Sequence, residues 1–158
     1  MEKVDNDISQ SKFSMILDCI RYNDVATLKK LLASESVVLE QDALHWSYLH
    51  YAAYFGNTEI AKLLLQLGLN VNSVDIDKRT ALYIAIINQK TEMVDFLVKN
   101  KIDILSKDTY DMTPLSYAKI TNKFADDELK ESSAKIVSIL ENYEHQVKQV
   151  INLNTNQR

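Results

Sequence analysis

The chain repeats itself every 33 residues. The segment Ser47-Tyr48-Leu49-His50-Tyr51-Ala52-Ala53 returns one period later as Thr80-Ala81-Leu82-Tyr83-Ile84-Ala85 and again as Thr113-Pro114-Leu115-Ser116-Tyr117-Ala118. Leu49 falls on Leu82, Ala52 on Ala85, Ile60 on Met93, Leu64 on Leu97 and Val71 on Ile104. One period earlier the same register meets Ile16-Leu17, Cys19, Asn23-Asp24-Val25 and Leu31-Leu32. A fixed period of this length means one small unit copied and stacked, which narrows the possible folds more than any composition does.

Within a unit the apolar spacing is helical twice. Leu49, Ala52 and Ala53 stand at i, i+3 and i+4, and so do Ile60, Leu63 and Leu64. Phe55-Gly56-Asn57 lies between them, where glycine can supply a left-handed turn. Each unit is therefore a helix-turn-helix hairpin. Neither helix has enough apolar surface to stand alone, so neighbouring hairpins must stack.

Composition agrees with an all-α reading. Two glycines and one proline are too few for a turn-rich β-sandwich. Apolar residues at 46% and charged residues at 25% fit a soluble folded domain. The sequence has no run approaching the roughly 20 apolar residues of a membrane span, so no membrane association is expected. A net charge of -4 argues against a nucleic-acid binder, which needs a basic face. Residues 1–7 are polar and acidic with no apolar signal segment after them. The expected location is cytoplasmic, or nuclear, or inside a host cell to which the protein is delivered. A lone cysteine, Cys19, cannot form an internal disulfide.

These motifs resemble the ankyrin repeat, with its Thr-Pro-Leu-His start, Ala-Ala pair, Gly turn, Leu-Leu pair and Gly-Ala-Asp-Val-Asn end. Gly68-Leu69-Asn70-Val71-Asn72 matches that end well and Lys101-Ile102-Asp103-Ile104-Leu105 loosely. Asp42, Asp75 and Asp108, 33 apart, stand where the family opens its hairpin finger. The resemblance implies an all-α ankyrin-repeat solenoid of about four repeats joined by short β-hairpin finger loops. The repeats are expected at about 13–42, 47–75, 80–108 and 113–143, in one domain over 1–143. An insertion at 123–133, or a lengthened first helix, is expected, because the last Leu-bearing helix, around Ile136 and Leu140, begins about ten residues late. Ser132 or Ser133 is expected to cap it.

Residues 144–158 are expected to form a helical extension and a polar tail, with 152–158 disordered. Ile136, Leu140, Tyr143, Val147 and Val150 follow one another at intervals of 4, 3, 4 and 3. That stripe reads first as a capping helix and second as a docking helix for a partner or another copy. Several family glycines are missing. His45, Lys78 and Asp111 stand at the finger positions, and Asn23, Gln89 and Asn122 between helices. Strain or a shifted turn is expected at Gln89, since glutamine favours the left-handed region less than asparagine.

The resemblance also implies where a partner lies: against the finger tips and the exposed side of each first helix. The register then selects Trp46, Tyr54, Phe55, Ile76, Arg79, Ile87, Tyr110 and Met112. Aromatic residues, methionine and arginine are enriched at interface centres. The alternative for Trp46 and Tyr54 is that they pack on each other, or on the long loop before them, and seal the first interface between units.

Catalytic chemistry is not expected. Two glycines cannot make a phosphate loop. The resemblance gives His50 a structural bond to a neighbouring turn, and no ligand cluster accompanies His45. Cys19 falls on the Ala52 position and reads as a small buried residue. No catalytic, cofactor-binding or metal residue is therefore assigned. The expected function is non-catalytic: a protein that binds or blocks another protein as adaptor, inhibitor or immunity-type protein, monomeric when free. The alternative is a structural or self-assembling protein that uses its C-terminal helix.

Overall fold

The computed structural model describes residues 2–33 and 41–155, with side chains described for 12–33 and 41–153. Residues 34–40 of the first unit and 156–158 of the tail lie outside the described residues. The described chain forms four helix pairs: α1 (Glu2–Arg21) with α2 (Val25–Ala33), α3 (Tyr48–Phe55) with α4 (Thr58–Gln66), α5 (Ala81–Ile87) with α6 (Thr91–Lys99), and α7 (Pro114–Phe124) with α8 (Lys130–Thr155). The first helices α1, α3, α5 and α7 stack in sequence as an inner layer, and α4, α6 and α8 stack as an outer one. This is the repeat solenoid the periodicity predicts, all-α among the described residues.

Burial follows the period. Leu49, Leu82 and Leu115 are buried at equivalent places in successive hairpins. Ala52, Ala85 and Ala118 are fully buried between inner helices, where a larger side chain would hold the backbones apart. Cys19 occupies the same place in the first hairpin and is buried as expected. In the outer layer Ile60 and Leu64, Met93 and Leu97, Ile136 and Leu140 fill successive sites.

Every residue with positive φ in the described chain keeps the 33-residue step. Asn23, Gly56 and Gln89 turn the chain between the helices of a pair. His45, Lys78 and Asp111 turn the fingers, at φ of 59°, 60° and 61°. Gly68 and Lys101 end the outer helices. The turn at Gln89 is not shifted. Its φ is 54°, and its side chain is held from both ends. Nε2 donates to the Ile86 carbonyl (3.1 Å) and Oε1 accepts from the Ser132 hydroxyl (3.0 Å). A Cβ at Gly56 would meet the Lys90 side chain at 3.0 Å, so glycine there serves both conformation and space.

Each finger is built around one carboxylate. Asp42 Oδ1 accepts the amides of Leu44 and Trp46, Asp75 Oδ1 those of Asp77 and Arg79, and Asp108 Oδ1 those of Tyr110 and Met112, all at 2.8–3.0 Å. Only single antiparallel bridges, Gln41 to Ser47 and Val74 to Thr80, close the first two fingers at their base. The fingers then tie to one another. The Ile76 amide donates to the Leu44 carbonyl (3.1 Å), and one period later Thr109 donates to Asp77 (2.9 Å).

A second tie comes from beneath. His50 Nε2 donates to the Arg79 carbonyl (3.0 Å), while Nδ1 accepts the Ser47 amide (3.1 Å), which fixes the neutral tautomer. One period on, Tyr83 replaces the histidine and makes the equivalent bond, donating from Oη to the Met112 carbonyl and to Ser106. A phenol and an imidazole thus perform one structural task at the same register. Burial pushes the His50 pKa below its ordinary 6.5, outweighing the bond to Arg79, which acts the other way.

The last pair joins a lengthened first helix, one of the two forms expected, to a short bend. α7 does not turn at Asn122; it continues to Phe124 and is 11 residues long, against 8 for α3. Lys123 and Phe124 therefore belong to α7, and 130–133 belong to α8, so the intervening bend is confined to 125–129. Ser132 and Ser133 do not cap α8, which starts earlier, at Lys130. Their hydroxyls bond Gln89 Oε1 and Asn122 Oδ1 instead, filling a gap between α8 and its neighbours. At the far end α8 includes 152–155, where disorder was expected.

Two measurements check this account. Lys78→Gly relieves a left-handed lysine whose side chain is exposed. It should raise stability by about 0.5–1 kcal/mol, the left-handed penalty less the entropy cost of glycine, seen as a higher urea midpoint. The depressed His50 pKa makes the folded state bind fewer protons than the unfolded chain. The His50 contribution is therefore complete above pH 6.5 and is lost as pH falls below it. Wild-type stability should decline from pH 7 toward about pH 5, and His50→Gln should flatten that slope.

Candidate partner-binding surface

The inner helices bury one face against each other and expose another. On that exposed face Tyr54, Ile87 and Ile120 stand one period apart and are 44%, 39% and 47% exposed. The last three repeats thus each present one partly uncovered apolar side chain at this register, on α3, α5 and α7, while Arg21 holds the place in the first. The finger tips add Leu44, Val74, Ile76 and Tyr110, all exposed. Scattered surface hydrophobics are ordinary, whereas these three recur at one register of the repeat.

The residues selected by sequence divide into two groups. Tyr54, Ile76, Ile87 and Tyr110 are exposed on this face. Phe55 and Met112 are partly buried. Phe55 meets Tyr54 edge-on at 5.0 Å between ring centroids.

Trp46 is partly buried in a ring cluster. It lies 5.2 Å from Tyr51, 6.1 Å from Tyr54 and 6.1 Å from His50. Tyr51 in turn donates to Asp42 Oδ2 at 2.6 Å. Burial, with that carboxylate beside it, pushes the Tyr51 hydroxyl up to about 12, so it remains a donor at neutral pH. Trp46 therefore anchors the first finger to α3. The Trp46 and Tyr54 rings pack on each other, as the alternative expected, and Tyr54 remains 44% exposed.

Arg79 is a clamp between fingers. Its side chain is only 21% exposed, with Nη1 at 3.3 Å from Asp77 and Nε at 3.7 Å from the buried Asp108 carboxylate. Its guanidinium lies 6.0 Å from the Tyr110 ring centroid. A partner would meet Tyr110 backed by Arg79 rather than a free cation.

One residue of this face escaped the sequence reading. Phe124 is 77% exposed and stands one helical turn beyond Ile120 on α7. It lay in the segment read as an insertion, so its register was lost. With the first helix lengthened, the i, i+4 step from Ile120 leads to it.

Among the described residues no group of three or more His, Cys, Asp or Glu side chains could hold a metal ion. Among the described residues no helix is long and apolar enough to cross a membrane. Burial pushes the Cys19 thiol pKa up, which opposes nucleophilic chemistry there.

Comparison with known proteins follows the same register. A family model described as ankyrin repeats (3 copies) matches residues 16–108 and 71–149. The chain is 30% identical over 112 residues to an ankyrin repeat protein of Fowlpox virus (strain NVSL), covering 71% of this chain and 26% of the viral protein. It is 35% identical over 88 residues to Rabankyrin-5 of Mus musculus, covering 54% of this chain and 8% of that protein. It is 33% identical over 70 residues to an L-asparaginase of Dirofilaria immitis, covering 44% and 12%. The chain spans about a quarter or less of the length of these relatives. Ankyrin repeats are generic protein–protein interaction modules and are typically non-catalytic. A match that runs from the first hairpin into the last, on the register its turns and finger carboxylates keep, places this chain in the ankyrin-repeat family.

Proposed function

We propose that this chain binds another protein across the finger tips and the exposed side of its inner helices, and acts by occupying that partner as an inhibitor or adaptor. The row Tyr54–Ile87–Ile120 carries the reading. Those side chains lie on the outside of a stack whose core is already closed. Each leaves apolar surface uncovered, and an interface gains from large apolar groups held on rigid helices. The finger ties support the same reading. Backbone and side-chain bonds fix each tip before a partner arrives, so little conformational freedom is lost on binding.

The relation to the longer relatives fits a binding module that can stand beside other domains. The match to a worm L-asparaginase covers only a small part of that enzyme, so it lends no support to a catalytic reading.

The test begins with affinity capture and mass spectrometry to identify the partner. Tyr54→Ala and Ile87→Ala should then each weaken its binding by about 1–2 kcal/mol, roughly five- to thirtyfold in Kd. Both should leave the melting temperature within a few degrees of wild type, because neither side chain is buried. Trp46→Ala is a poorer probe. It removes the hub of a four-ring cluster and should lower stability as well as affinity. Unchanged affinity in both Tyr54→Ala and Ile87→Ala would move the binding site off this face.

A further inference from the structure

We propose that the His50 ring is an acid-operated latch on the tie between the first and second fingers, and that the tie between the second and third, strutted by Tyr83, has none. Acid then loosens one end of the finger row and leaves the other in place. The consequence for a partner rests on the binding reading above; the latch itself does not.

The ring stands between two fingers. Nε2 donates to the Arg79 carbonyl of the second finger. Nδ1 accepts from Ser47, whose amide lies at 3.1 Å and whose hydroxyl lies at 2.8 Å. Ser47 is the N-cap of α3 and pairs with Gln41 to close the base of the first finger. The Trp46 ring of that finger stacks on the imidazole at 6.1 Å. A proton on Nδ1 turns this acceptor into a donor. The Ser47 hydroxyl can rotate to accept from it. The Ser47 amide cannot, and is left facing another N–H. The bond to Arg79 survives, since Nε2 donates in both states. Acid therefore acts on the base of the first finger, and through it on the Leu44 carbonyl that receives the Ile76 amide.

The charged groups that act on the ring are the carboxylates of Asp42 in the first finger and Asp75 in the second. Both favour the proton, but burial opposes it and wins. The Arg79 guanidinium is turned to Asp77 and Asp108. Proton uptake is thus coupled to opening. In an opened junction the ring titrates near its ordinary 6.5, and in the closed one below it. Opening gains up to about tenfold for each pH unit below 6.5, until the closed ring also takes its proton.

The next register lacks the device. Tyr83 donates to the Met112 carbonyl of the third finger from a phenol with no proton to gain in acid. Burial pushes its pKa further above the ordinary 10. It offers no acceptor to the start of its own helix. Thr80 Oγ1, at the place of Ser47 Oγ, is buried without a hydrogen-bond partner among the described residues. Strut and helix cap are joined in one ring at His50 and are separate at Tyr83.

Amide hydrogen exchange on the free full chain, read by NMR and corrected for the intrinsic rate at each pH, tests this. Between pH 7 and pH 5, protection of the Ser47 and Ile76 amides should fall about tenfold or more. That of Thr109, which ties the third finger to the second, should fall less than about threefold. His50→Gln should abolish the loss at Ile76, which separates His50 from the exposed His45 of the first finger. Tyr83→His should carry the acid response to Thr109, because Thr80 then meets a ring acceptor. Equal losses at Ile76 and Thr109 in the wild type overturn the proposal, since they report global unfolding. So does protection at Ile76 that ignores pH, a loss that persists in His50→Gln, or a folded Tyr83→His chain whose Thr109 stays insensitive. A failed latch leaves the partner-binding face standing, because Tyr54→Ala and Ile87→Ala decide that separately.

Discussion

Close approach of the inner helices sets everything else in place. Ala52, Ala85 and Ala118 are fully buried in α3, α5 and α7, where their small side chains let neighbouring helices come close. That spacing brings each finger within hydrogen-bonding range of the next, so that Ile76 reaches Leu44 and Thr109 reaches Asp77. It also fixes the distance that His50 and Tyr83 span to the following finger. Stacking, finger geometry and the exposed apolar row are consequences of one short contact repeated. Stability in such an array is a sum of unit and neighbour terms, so the struts matter most at the junctions they cross.

Much of this was legible in the sequence because the period is written in residues with few substitutes. Leucines at equivalent hairpin positions and alanines between helices identify the stack. Asp42, Asp75 and Asp108 identify the fingers, and the structure shows why a carboxylate is needed there: one oxygen takes two amides of a tight loop. The left-handed turns were harder. Only Gly56 and Gly68 advertise them, while lysine, histidine, glutamine and aspartate fill six comparable roles with asparagine. Tertiary bonds offset the local cost, as Ser132 does for Gln89.

The parts that were not legible share a cause. Where the 33-residue register breaks, after Ile120, neither spacing nor motif says whether extra residues form a loop or lengthen a helix. They do both: α7 gains a turn, a short bend follows, and α8 starts one turn early. Phe124 was lost for that reason. Arg79 illustrates a different gap. Its type and position suit an interface, yet its ion pairs with Asp77 and Asp108 depend on how adjacent fingers align. A side chain's partners across repeats are a tertiary fact, and the sequence gives only its register.

Hydrogen–deuterium exchange on the complex with the captured partner tests the central claim most directly. If stacked hairpins leave the finger tips and inner helices as the free flank, binding should slow exchange in the fingers around Leu44, Ile76 and Tyr110 and at the ends of α3, α5 and α7. Protection confined to the outer helices α4 and α6, with the fingers exchanging as in the free chain, would contradict it.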